Sequence, residues 1–244
     1  MKIKGKTLAR ISFIIFFIGF IGGMIILGVS IMGDFEALMF KPAVDGKTLL
    51  TTLKCPVMMA SSETGTITAT LSNPTDSRIS PSVWTHISAG FVTLVREERD
   101  NLILGPGESQ QVQWTISEDD AAFGRRWVLF KTKVYSQYPL PSSYGACGVF
   151  VTDILNLTGA QVHAFSITLS VLLMAIGIGL YNRAMRRLKG LAVRNLARSL
   201  LILGSLVLLG LISTFIGSYL LILSALFFFL SLLAVISFLL FQGN

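Results

Sequence analysis

Four stretches of this chain are apolar for long enough to form helices in lipid, and the segment between the first two alternates like strands. Ile11–Met32 runs 22 residues without a charge, and Val162–Tyr181 runs 20 with His163 at its edge. After Arg198 no charged side chain occurs before the chain ends. About 20 apolar residues cross a ~30 Å hydrocarbon core at ~1.5 Å per residue. Ser199–Asn244 is roughly twice that length and predicts two helices. The turn falls in Ser213–Tyr219, where small and hydroxyl residues gather around Gly217. The pattern therefore predicts spans at 11–32, 161–181, 199–215 and 220–241. A basic N-terminus (1–10), a basic loop (182–198), a short outer turn (216–219) and a three-residue tail (242–244) flank them.

Residues 33–160 carry a different period. Thr66–Leu71 places Ile67, Ala69 and Leu71 on one face, and Gln111–Ile116 does the same with Val112, Trp114 and Ile116. Val83–Ser88, Phe91–Arg96, Trp127–Tyr135 and Gly148–Thr152 are further strand candidates, separated by polar turns such as Asn73–Asp76, Gly105–Glu108 and Glu118–Asp120. Short alternating strands at this spacing predict an antiparallel β-sandwich. The segment is long enough for one domain with its own core. The fold expected is thus mixed: four transmembrane α-helices with an all-β sandwich inserted between helices 1 and 2.

Composition agrees with the pattern. Hydrophobic residues make up 52% of the 244 positions, too many for one soluble domain. Charge then orients the spans. All 13 acidic residues lie between Asp34 and Asp153, whereas half of the 20 basic residues lie outside that window. The outer basics form two clusters, Lys2/Lys4/Lys6/Arg10 and Arg183/Arg186/Arg187/Lys189/Arg194/Arg198. Lys and Arg are retained on the cytoplasmic side of membrane proteins, so both clusters, and with them both termini, are expected in the cytoplasm of a multi-pass protein of the cell (plasma or inner) membrane. Residues 33–160 are then extracytoplasmic. The net charge of +7 is a topology signal and not a nucleic-acid signature. An apolar run of 22 exceeds the usual signal-peptide core and no A-x-A site follows it, which favours an uncleaved signal anchor over a cleaved leader.

Leu71-Ser72-Asn73-Pro74-Thr75, followed by Leu104-Gly105-Pro106-Gly107-Glu108-Ser109 and Val112-Gln113-Trp114, resembles bacterial immunoglobulin-like modules of surface and envelope proteins. The resemblance covers roughly residues 60–152 and none of the membrane part. It implies an immunoglobulin-like sandwich used for contacts, and no shared catalytic residues. Cys55 and Cys147 are the two cysteines, and both fall outside the spans. An oxidising compartment favours a disulfide between them, tying the domain's two ends, with two buried thiols as the alternative. Closing so long a loop stabilises by roughly 4–5 kcal/mol in the chain-entropy model.

Catalytic chemistry has little footing. His86 alternates with Trp84 on a predicted strand, His163 sits at a span edge, and no G-x-S-x-G, H-E-x-x-H or phosphate-cradling loop occurs. No cofactor or metal site is expected. The spans hold no Asp, Glu, Lys or Arg in their interiors, which disfavours ion or proton relay. They do offer small-residue faces for helix packing: Ser12, Gly19, Gly23 and Ser30 on the first span, Ala175 and Gly179 on the second, Ser224 and Ser231 on the fourth. The basic loop residues Arg183, Arg186, Arg187, Lys189, Arg194 and Arg198 suit lipid headgroups at about 1 kcal/mol each. The segment Tyr135–Cys147 carries Tyr135, Tyr138, Pro139, Pro141 and Tyr144, candidates for partner contact because Tyr gives amphipathic area and Pro stiffens a loop.

The expected function is that of a non-enzymatic accessory or scaffold subunit of a larger membrane complex. Its expected partners are membrane lipids and other membrane or envelope proteins, not nucleic acid. Two alternatives are a transport or channel component using hydroxyls such as Ser213, Thr214 and Ser231, and a surface adhesion or ligand-binding module.

Overall fold

The computed structural model describes residues 5–40, 47–135, 140–154, 157–185, 191–216 and 221–242. Along these, α1 (Gly5–Met39) is followed by β1 (Thr48–Leu49), β2 (Met58–Ala60), β3 (Gly65–Ser72), β4 (Ser82–Ala89), β5 (Phe91–Asn101) and β6 (Ser109–Ile116). A 3-10 turn (Glu118–Asp120) and the single turn α2 (Ala122–Arg125), whose Phe123 and Gly124 are left-handed rather than α-helical, lead to β7 (Trp127–Tyr135) and β8 (Ser143–Thr152). Then come α3 (Gly159–Met185), α4 (Leu191–Ile216) and α5 (Leu221–Gln242). The chain divides into two compact units, Met1–Gly28 with His163–Phe215 and Ile222–Asn244, and Val29–Val162 with Ile216–Leu221.

The second unit is built on two sheets. One pairs β3 with β6 antiparallel in unbroken register from Gly65↔Ile116 to Ser72↔Ser109. The other has the order β1-β8-β7-β4-β5, with β2 also on β8. The alternation read in the sequence is what joins them. Ile67, Ala69, Leu71, Val112, Trp114 and Ile116 from the small sheet share one core with Val83, Ile87, Val128, Phe130, Val134 and Val149 from the large one. The Trp114 and Phe130 rings meet across it at 5.1 Å between centroids. The two turns that carried the family resemblance are bonded to each other. Asn73 donates its side-chain amide to the carbonyls of Ser77, Leu104 and Gly105, and its Oδ1 accepts from Thr75. Glu108 closes the second turn by accepting the Gly105 N–H.

Cys55 and Cys147 form a disulfide. Cys147 lies in the middle of β8, not at the edge of a strand as the sequence suggested, because β8 begins at Ser143, ahead of the predicted Gly148. β8 is edged by two short parallel partners, β1 at Ser143–Tyr144 and β2 at Phe150–Thr152. Between them the chain crosses to the other sheet through the Lys54↔Thr68 bridge.

The large sheet has a second face, and helix covers part of it. Ala37 and Phe40 pack on Leu129 and Ala146, with Val92, Val95 and Trp127 beside them. Close approach requires the absence of side chains at two points: a Cβ on Gly33 would overlap the Trp127 ring, and one on Gly148 would overlap the Gly33 backbone. Asp34 accepts the Gly148 N–H at 3.1 Å. Lys131, buried on β7, donates its ammonium to the carbonyls of Leu38 and Phe40 at 3.0 and 3.3 Å. A helix leaves its last carbonyls without partners in its own ladder, and here a lysine from the sheet supplies the donors. So α1 outlasts the predicted 11–32 span because its final turns have a sheet to pack on.

Two helical segments are long and apolar enough to cross a membrane by length and composition, Thr7–Met39 and Gly159–Ala184; the first unit holds them up to Gly28 and from His163. Shorter apolar segments are Arg198–Thr214 and Ala225–Val235. Gly19 and Gly23 lie against Ser170, whose hydroxyl donates to the Gly19 carbonyl at 2.6 Å, and Gly23 also meets Val207. Phe16 packs on Gly177, and Leu27 on Gly210. The expected Ala175–Gly179 face does not contact the other described helices. Both residues are exposed and a Cβ on Gly179 would meet nothing, whereas Ser170 and Gly177 form the small-residue surface. Spacing alone could not choose between faces of one helix. Ser12 and Ser231 are buried and bond back to the carbonyls of Ala9 and Phe227, and Ser30 is buried in the other unit. The side chain of Ser224 lies outside the described residues.

Candidate functional site

The second face of the large sheet supplies the most chemically distinctive arrangement in the second unit. Strand geometry puts every other residue of β4, β5, β7 and β8 on that face. Register then lines them up. Trp84 on β4 stands opposite Arg99 on β5 and Lys133 on β7, and Lys133 opposite Tyr144 on β8. One row, Arg99–Trp84–Lys133–Tyr144, therefore crosses four strands.

The row is held by ring contacts. The Arg99 guanidinium lies 4.4 Å over the Trp84 ring, and the Lys133 ammonium 4.4 Å over the Tyr135 ring. Trp84 and Tyr135 stack with centroids 6.2 Å apart. Each exposed cation–π contact contributes about 0.5–1 kcal/mol and, more usefully, limits the wandering of a long cationic side chain. Tyr135 and Arg99 are exposed, and Trp84, Lys133 and Tyr144 are half-buried. The strip thus sets two cations over aromatic rings, with Arg99 also 3.9 Å from the Glu97 carboxylate.

The adjacent row is Glu97–His86–Lys131–Ala146. His86 is fully buried, with Nε2 3.4 Å from the Glu97 carboxylate and its ring 4.8 Å from Trp84. Burial holds its pKa below the usual imidazole value, against the opposing pull of Glu97. The imidazole is packed against the Trp84 ring on the same face of the sheet. Among the described residues no group of three or more His, Cys, Asp or Glu could hold a metal ion.

The tyrosine–proline segment is only partly a loop. Tyr135 ends β7, where the alternation placed the end of that strand, and Tyr144 lies in β8, which begins ahead of the predicted Gly148; both are on the strip. Pro141 instead lines a cleft of about 230 Å³ with Leu140, Ser143 and Thr48. Tyr138 and Pro139 lie outside the described residues, as do Arg186, Arg187 and Lys189. Arg183 and Arg198 are exposed, and Arg194 is on α4, its side chain undescribed. Residues 182–185 and 191–198 are helical, so α3 and α4 take up most of the predicted basic loop. His163 is buried on α3. Arg99 and Lys133 were not singled out in the sequence. Their alternation with Glu97 and Lys131 was visible, but the register that brings them to Trp84 was not.

No family model and no curated protein matches this chain. Among solved structures it is similar to the CARDB domain of a Pyrococcus furiosus protein solved in complex with di-metal ions, at 12% identity and a TM-score of 0.32. That match covers 41% of this chain and 89% of the other. It is also similar to a Paenibacillus cycloisomaltooligosaccharide glucanotransferase, at 14% identity and a TM-score of 0.32, covering 43% of this chain and 14% of the enzyme. A third is a Bacteroides uniformis beta-glucuronidase, at 13% identity and 0.29, covering 40% and 12%. These likenesses go no further than a general β-sheet fold and carry no argument about activity or ligands.

Proposed function

We propose that the chain is a non-enzymatic accessory or scaffold subunit of a membrane complex. In this reading four helices span the membrane with both termini cytoplasmic. The extracytoplasmic unit is an immunoglobulin-like sandwich that contacts its partner through the Arg99–Trp84–Lys133–Tyr144 row and Tyr135. The carrying observation is that row: Trp, Tyr and Arg dominate the energetics of protein interfaces, and here they share one face of a disulfide-tied sheet. The glycine contacts of α1 with α3 and α4 support a packed helical base. The transport reading draws on Ser213, Thr214 and Ser231. Their hydroxyls bond to the carbonyls of Gly210, Leu211 and Phe227 on their own helices, which gives a pathway no support.

The test is purification in mild detergent with a photo-crosslinking residue at position 97 or 101, exposed beside Arg99 on the same face of β5. The expected outcome is one stoichiometric partner, crosslinked from both positions and lost in Trp84→Ala and Arg99→Glu. A monodisperse protein without a stoichiometric partner, or a partner retained by both variants, overturns the assignment.

A further inference from the structure

One end of the β unit is unlike the rest of its surface. Gly33, shortly after the unit begins at Val29, lies there against Trp127 and Gly148, and Gly159, shortly before Val162, lies against Met58 and Met59. Trp127 and Phe150 stand opposite each other at that same end. The β4–β5 turn belongs to it too: Gly90 lies beside the Asp119 carbonyl, Ser88 donates to the Asp120 carbonyl, and Ala122 bridges to Trp127.

Large apolar side chains project from this rim into the surroundings. Phe91 is 67% exposed, Leu94 54% and Phe123 47%. Phe123 is unusual in a second way. It has φ 51°, in the left-handed region, and is followed by Gly124 and Arg125 at 68° and 61°. A phenylalanine there is strained, and glycine would meet the backbone demand better. In water the segment bears both the strain and an uncovered ring. Arg126 is exposed next to it, and Arg125 reaches Glu118 at 3.6 Å.

We propose that this rim docks on the surface of a phospholipid bilayer, with Phe91, Leu94 and Phe123 seated at the headgroup–acyl boundary and Arg126 at the phosphates. The occupant follows from connectivity: the rim carries both points at which the chain passes to its long apolar helices. Aromatic and aliphatic side chains backed by arginine are the composition that such an interface retains. The proposal rests on the reading of those helices as membrane spans.

The test uses the full chain in nanodiscs of phosphatidylcholine and phosphatidylglycerol, with plain acyl chains or chains brominated near the headgroup. An environment-sensitive fluorophore is placed on single cysteines, the native pair being held in its disulfide. The positions are Thr93→Cys and Phe123→Cys on the rim, Pro106→Cys at the opposite turn, and Ile21→Cys on the exposed side of α1 as the membrane control. The expected result is a blue shift and bromine quenching at 93, 123 and 21, and neither at 106. Quenching at 93 should fall in a Phe91→Ser, Leu94→Ser, Phe123→Gly variant, whose glycine suits the left-handed backbone. Quenching at 21 with water-like, unquenched emission at 93 and 123 overturns the proposal. A blue shift without quenching overturns it in favour of a protein partner. Quenching at 93 that the triple variant leaves unchanged overturns the anchoring role of the three side chains. Absence of quenching at 21 removes the membrane reading and the proposal with it.

Discussion

Lys131 is a charged residue whose place is set by what it satisfies. Its ammonium reaches two carbonyls at the end of α1, groups that would otherwise be stranded against the sheet. Lys131→Met keeps the stem and removes the donors. It is expected to destabilise the unit by about 1–3 kcal/mol, the range for orphaned buried carbonyls, with Lys131→Arg recovering part of the loss. Denaturant titration of the full chain in detergent measures both. His86 makes a pH prediction of definite sign. Burial, only partly offset by Glu97, holds its folded pKa below the usual imidazole value of 6.5. The unfolded chain therefore takes up the proton first, and stability falls as pH drops through 6.5 toward the folded value. His86→Asn should flatten that limb relative to the native chain, in thermal unfolding followed across the same pH range.

At the scale of elements, the disulfide is the clearest lever. It ties the crossover between β1 and β2 to the middle of β8, across 92 residues of sequence. Cys55→Ala with Cys147→Ala is expected to cost about 2–5 kcal/mol, read as a lower midpoint in denaturant. Strands were legible where one face is buried and the other wet. Thr66–Leu71 and Gln111–Ile116 fall inside β3 and β6 because alternation there is strict. Strand ends were less legible. β5 runs on through Glu97, Glu98, Arg99 and Asp100 to Asn101, a charged stretch that reads as loop but is held by the ladder to β4. β8 begins at Ser143, inside a segment whose prolines and serines signal a turn. The strip was hidden for the same reason. Its members come from four strands, and period two says which residues share a face but not which stand opposite.

Across the whole molecule, the sequence boundary at residue 33 marked a change of composition, while the helix itself continues to Met39. The apolar run ends where charges begin, yet Gly33, Asp34 and Ala37 go on to pack, bond and bury against β7 and β8. That continuation follows from a surface presented by residues more than 90 positions away, which local pattern cannot reveal. The amphipathic signal is weak as well, because Phe35, Leu38 and Met39 are exposed on the same turns that bury Ala37.

The helical layer on the large sheet bears on any attempt to dissect the molecule. A cut after residue 40 would free the strands from their tether and at the same time strip the cover from Leu129, Ala146 and Lys131. A fragment starting at residue 47 should bind a hydrophobic dye and aggregate, whereas one starting at Val29 should do so much less. Equal behaviour of the two on a sizing column would show the cover to be dispensable. Composition divides the chain at residue 33, but packing divides it at Val29, so the last helical turns go with the strands they cover.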